Sequence, residues 1–316
     1  MKKILVVLPV TAEHKNLLSD ALKGTESSFE LAYTEGKAPS EEDLKDASAI
    51  IGTVGKELMR HAVQAEWLQL SWAGSDAFTA PGALRREIVL TSAVGAYGLA
   101  VSEHMLAQTL ALIRRFGQYA RNQVRHEWKP MGSVTSIEGS VIAVLGVGDI
   151  GGDYARKVKA LGAHVIGLRR SVREKPAFLD EQYAISELDA VLPRADIVAM
   201  VLPGSPETDR IMDGARLAKM KPGAFLLNAG RGTAIDLDAL KKMLRENRLG
   251  GAALDVTYPE PLPADDSLWD MDNVIITPHV AGQLLLPETL NRIVRIAAEN
   301  IAHWIKGEPM RNLVPH

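Results

Sequence analysis

The chain has 316 residues, 47% hydrophobic and 24% charged, enough for two well-filled cores at roughly 100 to 200 residues per domain and too apolar for long disorder. Lys plus Arg number 36 against 39 for Asp plus Glu, so a formal charge of −3 supplies no field for nucleic acid or an anionic membrane, and a small-molecule ligand is expected. Zero cysteines exclude a disulfide framework, a thiolate metal site, an iron–sulfur cluster and a cysteine nucleophile.

Met1-Lys2-Lys3 and the apolar run Ile4 to Val10 look only superficially like a signal peptide. Pro9 interrupts the run, and Thr11, Glu13 and His14 follow without a small-residue cleavage site. The run reads as a buried first strand over 4–8. No uninterrupted apolar stretch approaches about 18 residues, so no membrane span is expected, and the expected location is the cytoplasm. Further apolar runs at 49–52, 68–72 and 89–90 form one series, and runs at 141–145, 164–168, 197–201, 224–228, 251–255 and 274–277 form another. Continuously apolar strands separated by helix-length segments predict an α/β fold of two doubly wound, Rossmann-like parallel sheets covered on both faces. Between the series, 99–122 is expected as one long helix. Leu99, Met105, Leu106, Leu110 and Ile113 fall near helical spacing with other apolar residues all round, which suits a dimer interface. A final helix is expected over 287–306, ended by Gly307 and Pro309.

Strand 141–145 runs directly into Gly146-Val147-Gly148-Asp149-Ile150-Gly151. In this dinucleotide fingerprint Gly146 makes the tight turn, Gly148 lets backbone approach a pyrophosphate, and Gly151 permits close helix packing. The next strand ends in Arg169-Arg170-Ser171, where NAD-specific sites carry Asp or Glu, and no carboxylate occurs before Glu174. Two guanidinium groups and a hydroxyl suit a 2′-phosphate, so NADP(H) is preferred and NAD(H) stays possible. The alternative is a solvated turn.

Strand 224–228 leads into Ala229-Gly230-Arg231-Gly232-Thr233. At that strand end a fixed guanidinium can fork onto a carboxylate, or pair with Asp236 as a surface arginine. Strand 251–255 closes in Val256-Thr257-Tyr258-Pro259-Glu260-Pro261, where flanking prolines hold Glu260 in extended backbone. His279 follows strand 274–277 within Thr277-Pro278-His279. A lone histidine is as readily structural as catalytic, but one that reaches a carboxylate and faces an arginine can do acid–base work on a carbonyl. The other histidines lack metal spacing, so no metal is expected. His61, His104, His126, His164 and His303 are expected in helices or strands, without carboxylate-rich partners.

This succession of motifs resembles the D-isomer-specific 2-hydroxyacid dehydrogenases, and Asp255-Val256-Thr257 through Pro263 is similar in particular to the glyoxylate/hydroxypyruvate reductases. The resemblance extends to Ser71-Trp72-Ala73-Gly74-Ser75-Asp76 as a substrate loop and to Val101-Ser102-Glu103-His104 as the start of an interdomain helix. It implies a cofactor domain over 99–282 inserted in a substrate domain of 1–98 plus 283–316, and a homodimer. It also implies that Arg231 binds the carboxylate and carbonyl of a small 2-keto acid, that His279 exchanges the proton, and that Glu260 hydrogen-bonds His279. Ala73 and Gly74 would bind the carboxylate. Asp255 would meet the nicotinamide, and Leu202, Pro203, Thr208, Ala229 and Gly282 would complete the cofactor site with Asp149, Ile150 and His279. Leu8, Thr53, Val54 and Trp128 are candidate pocket caps. Ser92, Gly204 and Ser205 depart from the family pattern and bear on substrate-loop packing. Formate dehydrogenases pair the corresponding histidine with Gln, where this chain has Glu260. The same fold also serves dinucleotide-sensing corepressors, an alternative that the set Arg231, Glu260 and His279 disfavours.

Overall fold

The β-branched and aliphatic runs form strands buried on both faces in a computed structural model, which describes residues 1–172 and 174–316. The contacts divide it into a unit of Met1–Tyr97 with Leu286–His316 and a unit of Gly98–Leu285.

The first unit alternates β1 (Lys2–Val6), α1 (Ala12–Asp20), β2 (Phe29–Tyr33), α2 (Glu41–Lys45), β3 (Ala47–Ile51), α3 (Lys56–Met59), β4 (Trp67–Gln69), α4 (Asp76–Thr79) and β5 (Val89–Thr91). All pairs are parallel, in the order β2-β1-β3-β4-β5. Every residue of β3 is buried, which is why its sequence Ala-Ser-Ala-Ile-Ile shows no alternation.

The second unit begins with α5 (Gly98–Ile113) and α6 (Phe116–Val124). Its sheet strands and covering helices follow as β6 (Val141–Leu145), α7 (Asp149–Ala160), β7 (His164–Arg169), β8 (Glu181–Ala184), α8 (Leu188–Val191), β9 (Ile197–Met200), α9 (Gly214–Lys219), β10 (Phe225–Asn228), α10 (Leu237–Arg245), β11 (Gly251–Leu254) and β12 (Val274–Ile276). The seven parallel strands lie in the order β12-β11-β10-β9-β6-β7-β8. The order reverses between β6 and β9, and ligands of such sheets bind outside the strand C-termini at that reversal. The chain then returns to the first unit as α11 (Pro287–Lys306), stopped by Gly307 at φ 68°. Fully buried Asn300 fastens α11 there: its amide nitrogen donates to Gln69 Oε1 at 2.7 Å and its oxygen accepts the Arg311 N–H at 2.7 Å. No described helix is long and apolar enough to cross a membrane.

Several expectations need correction. The helix expected over 99–122 is two helices, because Arg115 adopts a left-handed φ of 61° and its side chain holds the bend by donating to the Ser133 carbonyl and to Gln118. β2 and β8 are not expected from the sequence: they are sheet edges, β2 interrupted by Glu30 and β8 opening on Glu181-Gln182, so neither gives a long continuous apolar run. His61 and His126 lie in turns, not in helices or strands. His164, expected without carboxylate partners, meets Glu181 at 2.6 Å and Asp180 at 3.9 Å.

That edge carries a titrating cluster. The Arg194 guanidinium, with Tyr183 and His164, holds the Glu181 carboxyl down to about 2. A folded value below the unfolded one gives stability that is complete above the unfolded value and is lost as pH falls through the folded value. Glu181→Gln should therefore cost about 1 kcal/mol near neutral pH, solvent screening at this partly exposed edge limiting the effect. In denaturant melts at stepped pH, the difference from the native chain should fade toward pH about 2; a difference independent of pH would contradict the assignment.

Candidate active site

Three glycines shape the turn between β6 and α7, each by a different constraint. Gly146 has φ 94°, and a Cβ there would lie 2.9 Å from the Val201 carbonyl oxygen. A Cβ on Gly151 would lie 2.0 Å from the Gly146 carbonyl oxygen. Around Gly148, the N-cap of α7, a Cβ would meet nothing within 4 Å. The outer glycines are thus demanded by the protein's own packing, and the middle one borders open space at a helix N-terminus, a surface suited to a pyrophosphate. Asp149 turns its carboxylate to the start of α5, accepting the Gly98 N–H at 2.9 Å. Ile150 follows it in the first turn of α7.

β7 ends at Arg169, half-buried, with Arg170 and Ser171 exposed beyond it. Neither arginine forms an ion pair among the described residues. The Glu207 carboxyl is held below the usual range, first by the Ser205 hydroxyl, with Arg170 contributing the smaller attraction. In the loop after β9, Leu202 is buried and Pro203 exposed. Thr208 closes this loop, its hydroxyl donating to the Pro203 carbonyl at 2.7 Å and accepting the Ser205 N–H at 3.0 Å.

The turn after β10 explains its glycine-flanked arginine. A Cβ on Gly230 would lie 2.6 Å from the Leu202 carbonyl oxygen, and one on Gly232 would lie 1.9 Å from that of Thr257. Ala229 continues the pairing, its N–H donating to the Met200 carbonyl at 3.0 Å. Buried Asn228 clamps the turn from both sides, accepting the Gly230 N–H at 3.0 Å and donating to the Arg231 carbonyl at 2.9 Å. Arg231 donates to the Gly230 carbonyl at 2.9 Å. Asp236, the rival partner considered for it, pairs with Arg210 and caps α10 through the Ala239 N–H.

Past β11 and β12 the chain brings Glu260 to His279. Thr257 donates its hydroxyl to the Pro259 carbonyl at 2.9 Å, fixing the approach of the proline-flanked segment. His279 Nδ1 lies 2.9 Å from Glu260 Oε1, with about half of each side chain exposed. A carboxylate paired in this way accepts, so Nδ1 is the donor and Nε2 is the ring nitrogen not engaged by Glu260. The His279 backbone is left-handed at φ 51°, and its N–H donates to the Asp255 carbonyl at 2.8 Å. Asp255 is almost wholly buried, and its carboxylate accepts from the Thr277 hydroxyl at 2.6 Å, from Val280 N–H at 3.0 Å and from Ala281 N–H. Gly282 follows directly on this held loop. Residues that sequence reasoning missed, Asn228 and Thr277, act through contacts with turns rather than through a motif of their own.

In the first unit, Ser71 and Thr53 hydroxyls lie 2.8 Å apart, and Tyr97 donates to the Ser71 carbonyl at 2.7 Å. These bonds brace the loop that carries Ala73 and Gly74, whose N–H groups have no acceptor among the described residues. Of the expected pocket caps, Leu8 and Val54 are core residues and Thr53 is spent on Ser71. Trp128, in the second unit, is 104% exposed.

A family model for the D-isomer specific 2-hydroxyacid dehydrogenase NAD binding domain matches residues 106–281. The chain is 31% identical over 283 residues to a glyoxylate reductase of Thermofilum pendens, covering 85% of this chain and 83% of that one. Its fold is similar to a D-isomer specific 2-hydroxyacid dehydrogenase family protein of Aeromonas salmonicida, at TM-score 0.86 and 30% identity over 99% of this chain and 98% of that one. It is also similar to an NADPH-dependent glyoxylate/hydroxypyruvate reductase of Sinorhizobium meliloti, solved with NADP and sulfate, at TM-score 0.81 and 28% identity over 99% and 98% of the two chains.

The glycine geometry yields a contrast. Gly151→Ala and Gly232→Ala should each destabilise by about 3 kcal/mol or more, because backbone must move to admit the methyl. Gly148→Ala should melt like the native chain and lose dinucleotide affinity, read by fluorescence titration. Equal melting temperatures for all three variants would contradict these close approaches.

Proposed function

Given that the chain belongs to the D-isomer specific 2-hydroxyacid dehydrogenases, which are NAD(P)-dependent oxidoreductases, we propose that it reduces a small 2-keto acid such as glyoxylate or hydroxypyruvate, with NADP(H) as the preferred cofactor. The observation that carries this reading is the held pair of Glu260 and His279 at the end of the same sheet as Arg231. The Gly98–Leu285 unit is the proposed cofactor domain, and Met1–Tyr97 with Leu286–His316 the substrate domain.

When bound, the nicotinamide supplies the hydride to the keto carbon. Gly146, Gly148 and Gly151 with Asp149 and Ile150 would hold the pyrophosphate, and Leu202, Pro203, Thr208, Ala229, Asp255, His279 and Gly282 would border the rest of the cofactor. Arg169, Arg170 and Ser171 support the NADP(H) preference, since an added 2′-phosphate gains charge-assisted bonds from guanidinium groups. Arg231 orients the substrate carboxylate by a forked contact and polarises the keto oxygen, and the N–H groups of Ala73 and Gly74 are further donors to a carboxylate. As the keto oxygen gains charge, the His279 Nε2 proton passes to it, and Glu260 stabilises the imidazolium from the Nδ1 side. In the reverse direction neutral Nε2 takes the hydroxyl proton. Phe116, Val124, Trp128 and Val134 are large exposed apolar residues along and beyond α6, and they support a homodimer contact there.

Three outcomes test the reading. A screen of 2-keto acids should give a higher kcat/KM with NADPH than with NADH, and the opposite order would contradict the role of the arginines. Arg231→Lys should lose about 2 to 4 kcal/mol of transition-state binding, since a point charge cannot fork onto the carboxylate; near-native kcat/KM would remove Arg231 from the site. Reduction requires protonated His279 and oxidation requires the neutral ring, so kcat/KM should fall with rising pH in one direction and rise in the other. Profiles of the same shape both ways would eliminate His279 as the proton carrier.

A further inference from the structure

We propose that His104, on α5, is a positioning residue that holds the loop presenting His279. The inference rests on the reading of His279 as the acid–base group, and extends it to a histidine that the motifs leave unassigned.

Asp255 accepts from every group around it, and the single hydroxyl proton of Thr277 is committed to its Oδ1 across 2.6 Å. The Thr277 oxygen can then only accept, and it faces two donors one helical turn apart on α5. His104 Nε2 lies 3.0 Å away and Gln108 Nε2 3.2 Å away. This direction of bonding puts a proton on His104 Nε2 whether the ring is neutral or charged. His104 Nε2 also lies 3.7 Å from Asp255 Oδ1, so a charged ring would add attraction to the same carboxylate.

The loop needs such support. His279 is a non-glycine residue at φ 51°, a conformation that persists only where the surroundings over-determine it. Both flanks are tied to Asp255: Thr277 before His279 by its hydroxyl, Val280 and Ala281 after it by their N–H groups. His104 and Gln108 brace the first tie from behind. Without the His104 donor, the Thr277 hydroxyl can rotate away from Asp255, the left-handed residue can relax, and Nε2 leaves its aim while the carboxylate-binding arginine stays in place. The effect should therefore fall on kcat more than on KM.

The test compares His104→Leu, which removes the donor, with His104→Gln, whose amide nitrogen reaches the place of Nε2, and with His279→Asn as reference. Each is measured as the intact chain with NADPH for kcat and KM on glyoxylate, and by hydrogen exchange of the Val280 and Ala281 amides. His104→Leu should lose about tenfold or more in kcat with KM changed less than about threefold, as expected for misplacement of a reacting group, and should exchange faster at both amides. His104→Gln should recover native exchange and most of kcat. Thr277→Val, which deletes the relay hydroxyl at constant shape, should reproduce the Leu variant and stands in for it if that variant does not fold. Native kcat and exchange in His104→Leu, or equal impairment of Leu and Gln, would overturn the inference. Full activity in His279→Asn would instead sink the proton-carrier reading, leaving the holding of the loop to be judged by exchange alone.

Discussion

A buried carboxylate that must be satisfied organises the end of the second sheet. Asp255 stands where β11 ends, 2% exposed, and an unpaired charge there would be prohibitive. It is matched by donors from the segment after β12, namely Thr277, Val280 and Ala281, so the chain wraps around it. That wrapping forces His279 into a left-handed backbone and turns its ring to Glu260. The His279 ring is oriented by hydrogen bonds that its neighbours Thr277, Val280 and Ala281 make to Asp255.

A second constraint works through crowding. Gly230 and Gly232 pass so close to the carbonyl oxygens of Leu202 and Thr257 that no side chain fits, and Arg231 between them inherits a fixed exit direction. Asn228 reinforces it with bonds on both sides of the turn. The site is thereby built on strand ends and satisfied backbone rather than on free loops, the condition for holding reacting groups to within fractions of an ångström.

Much of this was legible in the residues themselves. The central strands β3, β6, β9 and β11 are buried on both faces, so their sequences are continuous apolar runs and announce a parallel sheet. The fingerprint at Gly146 to Gly151 and the proximity of Glu260 to His279 were likewise readable, because each depends on local backbone chemistry or on a recognisable succession of motifs. Edge strands β2 and β8 escaped because their residues are only partly buried and Glu30, Glu181 and Gln182 break the apolar pattern. The break at Arg115 depends on its bond to the Ser133 carbonyl, a contact across 18 residues that no local propensity encodes. Asn228, Thr277 and His104 escaped for the same reason: an amide, a hydroxyl and an imidazole acquire their roles from what tertiary packing sets opposite them.

The most direct test of this arrangement is a crystal structure of the chain with cofactor and oxamate, an inert mimic of a small 2-keto acid. The account predicts the oxamate carboxylate forked on the Arg231 guanidinium and its amide carbonyl oxygen within about 2.6 to 3.2 Å of His279 Nε2, with the Nδ1 bond to Glu260 intact. Oxamate seated away from Arg231, or a His279 ring turned from Glu260 in the complex, would contradict it.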